Sequence, residues 1–300
     1  MPDWSAGAAE RGAAEPGGAA REAPAPGAAL KWNAADPPEL APASSRQRAA
    51  AYARLTAALA VTAVALALYA LFKLIERRVW SGFRWREGVQ RLWARSMARL
   101  CGLKVRPSGR PMAHGGALVA NHSTWADIFV LVGSARMTFV SKAEVRGWPG
   151  VGAVAALCDT VFIERRRSAA KAQTEEMARR MIGGERLLFF PEGTSTDGLR
   201  VLPFRSTLFA ALMEDGLRES AWVQPVSVVY HPGPGLPRAF HGWWGDMDFG
   251  GNVWDVLARS FGGAADVVFH EPVRPVDFPD RKALAAHCWR EVEGGVVERL

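Results

Sequence analysis

Cysteine is scarce in this 300-residue chain: there are three, Cys101, Cys158 and Cys288, far apart and in no C-x-x-C arrangement. So odd and scattered a set argues against a disulfide-stapled scaffold and a zinc site, and points to a reducing compartment. No Gly-x-Ser-x-Gly elbow occurs, which disfavours a serine hydrolase. Excess positive charge is missing from most of the chain. Residues 1–45 hold three basic and six acidic side chains, and residues 111–300 hold twenty and twenty-two. The formal charge of +7 therefore arises in residues 46–110, which carry fourteen basic and two acidic groups. A basic excess so local argues against a nucleic-acid-binding protein and for one surface that faces something anionic.

Residues 1–45 are dominated by Ala, Pro and Gly without apolar periodicity, and are expected to be disordered. Residues 46–110 form the membrane segment. Leu55–Phe72 contains no charge, and as a helix it covers about 27 Å, just enough for a hydrocarbon layer of roughly 30 Å. Basic residues flank it on both sides (Arg46, Arg48, Arg54; Lys73, Arg77, Arg78), which favours a membrane helix over a buried soluble one. A cleaved signal peptide fits poorly, because the preceding region is too long and acidic near its start. Arg77–Leu100 then places Trp80, Phe83, Trp85 and Trp93 among Arg84, Arg86, Arg91, Arg95 and Arg99 at helical spacing. Such a helix suits the lipid headgroup layer, the protein's own surface, or both.

Residues 111–300 read as an α/β domain. Short apolar runs predict strands at 117–120, 137–140, 160–163, 187–190, 223–230 and 266–270, and helical patterns lie at 168–182, 205–214 and 281–300. The alternation predicts a central mixed sheet flanked by helices.

Three stretches carry chemistry. In Ala117-Leu-Val-Ala-Asn-His-Ser-Thr-Trp-Ala-Asp127 a strand delivers Asn121 and His122 to its carboxyl end, and Ser123 or Thr124 can cap a helix that holds Asp127 in its first turns. A histidine with a carboxylate one turn on is a general base with its orienting group. His-x-x-x-x-Asp occurs a second time, as His241 to Asp246, but in a Gly- and Trp-rich loop without a strand before it. Leu187 to Gly198 ends an apolar strand in Pro191-Glu-Gly-Thr194, and Thr160 to Arg167 runs a strand into three arginines suited to phosphate or carboxylate.

The order of these blocks, Asn121-His122-x-x-x-x-Asp127, then Lys142-Ala-Glu144 with Pro149 and Gly152, then Phe162-Ile-Glu-Arg165, Phe190-Pro-Glu-Gly-Thr194 and Val223-Gln-Pro225, resembles the glycerolipid acyltransferase family of the bacterial 1-acylglycerol-3-phosphate acyltransferases. The resemblance implies that family's fold with an N-terminal helical anchor, and acyl transfer from acyl-carrier protein or acyl-CoA to a lysolipid hydroxyl without a covalent enzyme intermediate, cofactor or metal. It implies His122 as the base and Asp127 as its orienter. Asn121, Lys142, Arg165, Glu192, Gly193 and Thr194 fall on the substrate-binding blocks, Pro225 on the apolar fourth block, and backbone amides near Gly193 are taken as donors to the thioester oxyanion. A bacterial inner-membrane location with the catalytic domain facing the cytoplasm follows from the basic flank and the thioester donors.

The stretches Arg200 to Ser206, Trp244 to Asp248 and Trp254 are similar to the lyso-ornithine lipid acyltransferase branch, whose acceptor carries a carboxylate and an amine. Glycerophosphate acyl transfer is the broader expectation and lyso-ornithine lipid the narrower alternative, with Asp246 and Asp248 as candidate partners of the ornithine ammonium. A membrane-tethered lipid binder is the competing class. It has no use for a base and its orienter together.

Overall fold

Parallel strands bury both faces and therefore read as continuous apolar runs; that pattern, not strict alternation, marks Gly116–Ala120 and Trp222–His231. The computed structural model describes residues 31–78, 85–143, 147, 152, 155, 157, 159–163 and 167–300. Residues 1–30, expected to be disordered, lie outside them, as do Arg165, Glu144, Pro149 and Cys158.

Among the described residues seven strands form one sheet in the order β1-β7-β6-β2-β5-β3-β4. They are β1 (Leu103–Gly109), β2 (Gly116–Ala120), β3 (Thr138–Lys142), β4 (Val161–Ile163), β5 (Arg186–Phe189), β6 (Trp222–His231) and β7 (Gly263–Phe269). Only the β6–β7 pairing is antiparallel. The sheet is thus mixed, as expected. The helices are α1 (Ser45–Arg78), α2 (Trp85–Leu100), α3 (Asp127–Ser134), α4 (Arg167–Ile182), α5 (Leu217–Ser220), α6 (Phe249–Arg259) and α7 (Arg281–Val297). One apolar layer sets α2 and α3 against the sheet through Trp93, Ala98, Leu118, Val130 and Leu131, and the other sets α7 against it through Leu284, Cys288 and Val292.

Several elements differ from expectation. β1 lies inside the stretch assigned to the membrane segment, yet pairs in register with β7 from Leu103↔Gly263 to Gly109↔Phe269. Its four outer residues are exposed, so it lacks a hydrophobic signature. The 205–214 pattern forms a 3₁₀ segment, Ser206–Met213, instead of an α-helix. Helix α6 was not anticipated; its start is set by Asp248, whose carboxylate accepts from the Gly251 amide.

The membrane segment is docked. α1 is long and apolar enough to cross a bilayer, but Ala51, Ala58, Ala65 and Tyr69 form a buried stripe along it. Alanines let the helix approach α6 at Leu257 and Ala258 and approach α2 further on. Its outward face leaves Leu59, Val64, Leu68, Leu71 and Leu74 exposed. Residues 31–41 of the expected disordered tail also lie on the domain. Trp32 meets Trp244 edge to face, Trp244 Nε1 donates to the Ala35 carbonyl at 2.9 Å, and Arg259 donates to that of Ala41 at 2.6 Å.

Trp93 joins three helices. It is 1% exposed, meets the Phe129 ring of α3 edge to face, and donates to Thr62 Oγ1 of α1 at 3.0 Å. Trp93→Ala is expected to destabilise the protein by about 3–5 kcal/mol, read by denaturant unfolding in detergent; a loss below about 1 kcal/mol would show that α1 and α2 are held by other contacts.

Candidate active site

The carboxyl ends of parallel strands share one edge of a sheet, and loops leaving there converge. β2 and β5 are paired through Val119↔Phe189, so His122 and Phe190 leave the sheet side by side, with ring centroids 4.1 Å apart and planes 14° from parallel. β6 lies on the other flank of β2, through Ala120↔Val226.

His122 Nδ1 lies 2.7 Å from Asp127 Oδ2. Facing a carboxylate, Nδ1 carries the proton and donates, which leaves the Nε2 lone pair on the outward side of a ring whose side chain is 24% exposed. Asp127 is fully buried, and Oδ2 also accepts the backbone amides of Ser123 at 2.9 Å and Thr124 at 3.1 Å. Neither Ser123 nor Thr124 caps α3 by its side chain, as had been expected; the N-cap is Ala126, without a side-chain bond. Asp127 closes this turn itself.

Oδ1 of Asp127 accepts from the Tyr230 hydroxyl at 2.6 Å. Tyr230 is buried in β6, and burial together with the neighbouring Asp127 charge holds its hydroxyl well above the usual tyrosine range, so it remains a donor. No local motif marks Tyr230, which the sequence offers only as the last residue of an expected strand.

Two residues expected to touch substrate are engaged inside the protein. Asn121 is 1% exposed, with its amide donating to the Val228 carbonyl at 2.9 Å and its oxygen accepting the Val228 amide at 2.8 Å. It clamps the end of β2 to β6. Glu192 is 2% exposed; one oxygen accepts the His122 amide at 2.7 Å and the other the Leu202 amide at 2.8 Å. Its carboxylate therefore braces the base's backbone and has no free face for the acceptor. Burial raises its pKa to about 8 against the opposing pull of those two amides.

Gly193 has φ +75°, which favours glycine, and a Cβ there would stand 3.0 Å from Arg205 Nε and crowd the guanidinium. Its own amide donates to the Phe190 carbonyl at 3.1 Å and is not available to an oxyanion. Among the described residues no acceptor meets the Thr194 and Ser195 amides. Thr194 is half-buried, its hydroxyl 3.4 Å from the Ser195 carbonyl. Pro225 is buried within β6. Lys142 ends β3 opposite Ile163 of β4, and Arg165 lies outside the described residues.

The second His-x-x-x-x-Asp is not a pair. His241 is 1% exposed, faces Ser260 Oγ at 2.9 Å, and burial lowers its pKa to about 4. Asp246 is exposed and bonded to Lys31. Asp248 caps α6, so neither carboxylate of this loop stands free for an ammonium. Among the described residues no His, Cys, Asp and Glu cluster could hold a metal ion.

A partly exposed imidazole held by a buried carboxylate at the strand ends of a mixed sheet has the form of a general base with its orienting group, and among the described residues no serine or cysteine side chain is bonded to the ring. The sequence profile of the Acyltransferase family matches residues 103–229, a span that includes Asn121, His122, Asp127 and Glu192 and ends one residue before Tyr230. The chain is 44% identical to the lyso-ornithine lipid O-acyltransferase of Rhodobacter capsulatus over 89% of its length and 98% of that protein's. It is 40% identical to the Brucella abortus enzyme of that name over 67% of this chain and 79% of that one, and 30% identical to the 1-acyl-sn-glycerol-3-phosphate acyltransferase of Neisseria gonorrhoeae over 39% and 46%. The crystal structure of PlsC, the 1-acyl-sn-glycerophosphate acyltransferase of Thermotoga maritima, shares the fold with a TM-score of 0.52 at 22% identity, covering 82% of this chain and 97% of that one. The chain belongs to the acyltransferase family and is an acyltransferase.

Tyr230→Phe removes the hydroxyl that donates to Asp127 Oδ1, and a hydrogen bond to a carboxylate is worth about 1.5–3 kcal/mol. Turnover is expected to fall by about tenfold or more, with donor KM unchanged; unaltered turnover would make the Tyr230 bond incidental to the base. Glu192 has a pKa above its unfolded value of 4.5, so it contributes stability that is complete below about pH 4.5 and is lost as pH rises towards about 8. Glu192→Gln cannot ionise and is expected to flatten the decline of unfolding free energy across that window; equal slopes in both proteins would assign the proton to another group.

Proposed function

We propose that this acyltransferase moves a fatty acyl group from acyl-carrier protein or acyl-CoA to the hydroxyl of a membrane lysolipid, with His122 as general base and no covalent enzyme intermediate. The observation that carries this reading is the 2.7 Å His122–Asp127 bond, which turns Nε2 outward and stabilises the imidazolium formed on proton abstraction. The hydroxyl oxygen attacks the thioester carbonyl as its proton passes to Nε2. The oxyanion is met by the Thr194 and Ser195 amides, and the proton then passes to the departing thiolate.

The acceptor we favour is a lyso-ornithine lipid, because the relative bearing that name is matched over 98% of its length. Lysophosphatidate is the second reading, supported by the Neisseria relative. Both are anionic, so arginine suits either.

The placement we propose is the cytoplasmic face of a bacterial inner membrane, with α1 dipping into one leaflet. Residues 31–41 before α1 touch Trp244 and Arg259, and Tyr69 near its other end bonds Asp159. A helix tied to one domain before its apolar stretch and again at Tyr69 within it has its outward face to offer to lipid, and its length stays alongside the protein.

Purified enzyme assayed with both donors against lyso-ornithine lipid and lysophosphatidate is expected to esterify the former faster, and His122→Ala to reduce the rate by about 10²–10⁴-fold without loss of folding or membrane binding. Substantial turnover by His122→Ala would remove the histidine from its role, and a preference for lysophosphatidate would reverse the order of acceptors.

A further inference from the structure

One cation beside the catalytic loop is held in place and left half unused. Arg205 Nε donates to the Glu192 carbonyl at 3.2 Å, and its backbone amide donates to the Pro191 carbonyl at 3.0 Å. The same Glu192 grips the His122 amide through its carboxylate. A single residue thus fixes both the base and the arginine. The guanidinium lies over Gly193 with Nε and Cζ at 3.0 and 3.2 Å from where a Cβ would stand, so the glycine opens room for it. Arg205 is exposed, and among the described residues no carboxylate meets its two terminal nitrogens. This sets it apart from its neighbour Arg200, which Asp197 neutralises at 2.9 Å.

A guanidinium anchored by Nε and free at its outer edge presents the fork that carboxylate and phosphate accept in bidentate fashion. The loop that holds it also holds the base, so its natural anion is one carried near the attacking hydroxyl. In a lyso-ornithine lipid the carboxylate, and in lysophosphatidate the phosphate, stand a handful of bonds from that hydroxyl. The phosphate of a pantetheine donor is more than twice as many bonds from its thioester. We propose that Arg205 binds the anionic head group of the acceptor and so helps to select lysolipids that carry a carboxylate or phosphate beside the reacting hydroxyl. This inference rests on the lysolipid reading above.

The test is steady-state kinetics of Arg205→Gln and Arg205→Lys with each acceptor. Glutamine keeps a side-chain amide that can donate to the Glu192 carbonyl but has no charge, so a mere brace survives in it and an anion site does not. The expected result is a drop of at least tenfold in kcat/KM for the acceptor in Arg205→Gln, a smaller drop in Arg205→Lys, donor KM within twofold, and unchanged thermal unfolding. The acceptor with the larger loss identifies which anion the fork meets. Wild-type acceptor kinetics in Arg205→Gln would overturn the proposal, as would a rise confined to donor KM or a loss that tracks unfolding. A wild-type enzyme inactive on both lipids would overturn the lysolipid reading itself, and this inference with it.

Discussion

The structure around the site depends on surrounding one fully buried carboxyl group, that of Asp127, with hydrogen-bond donors. A charged group in an apolar interior is unfavourable by many kcal/mol unless hydrogen bonds replace its hydration. Asp127 receives four: the His122 ring, the Ser123 and Thr124 amides, and the Tyr230 hydroxyl. Two of these come from the turn that follows β2, so the turn is shaped to the carboxylate as much as the carboxylate is held by the turn. Tyr230 brings in β6 from across the sheet. With its solvation supplied by fixed donors, Asp127 stays an acceptor for the Nδ1 proton, and Nε2 is committed to the outward side.

That arrangement works only if the end of β2 does not move, and two buried polar side chains see to it. Asn121 pairs with both backbone groups of Val228 much as a sheet residue would, extending the β2–β6 ladder beyond its last strand pair. Glu192 does the same on the β5 side, tying the His122 amide to that of Leu202. The base is thus clamped from both neighbouring strands, while its ring rests on Phe190. Rigid support from regular strands holds a reactive group more closely than a free loop can.

Much of this was legible in the sequence, and the failures have a common cause. The strand, the His122–Asp127 pair and the order of blocks are local patterns and could be read directly. Sequence context set His122 apart from His241, and the structure shows His241 as a buried ring facing Ser260. Asn121 and Glu192 were assigned to substrate because polar residues in a motif suggest chemistry, whereas their partners, Val228 and Leu202, are backbone groups that only the fold brings near. Tyr230 acts at a separation of 103 residues, which no spacing rule encodes. β1 escaped notice because an edge strand with exposed outer residues carries little apolar signal.

The docked anchor gives the charge distribution its physical sense. The outward face of α1 is apolar, whereas α2 turns Arg91, Arg95 and Arg99 outward beside Trp85 and Leu92. Hydrophobic burial and headgroup attraction add where apolar and basic groups share a surface. α1 is also joined to the domain by Arg54, which donates to the Leu257 and Ser260 carbonyls at 3.1 and 2.8 Å. An acceptor whose apolar chain stays in the leaflet can offer only its head to a site so held. The site must meet that head with fixed polar groups, because neither the lipid nor the protein is free to reorient far.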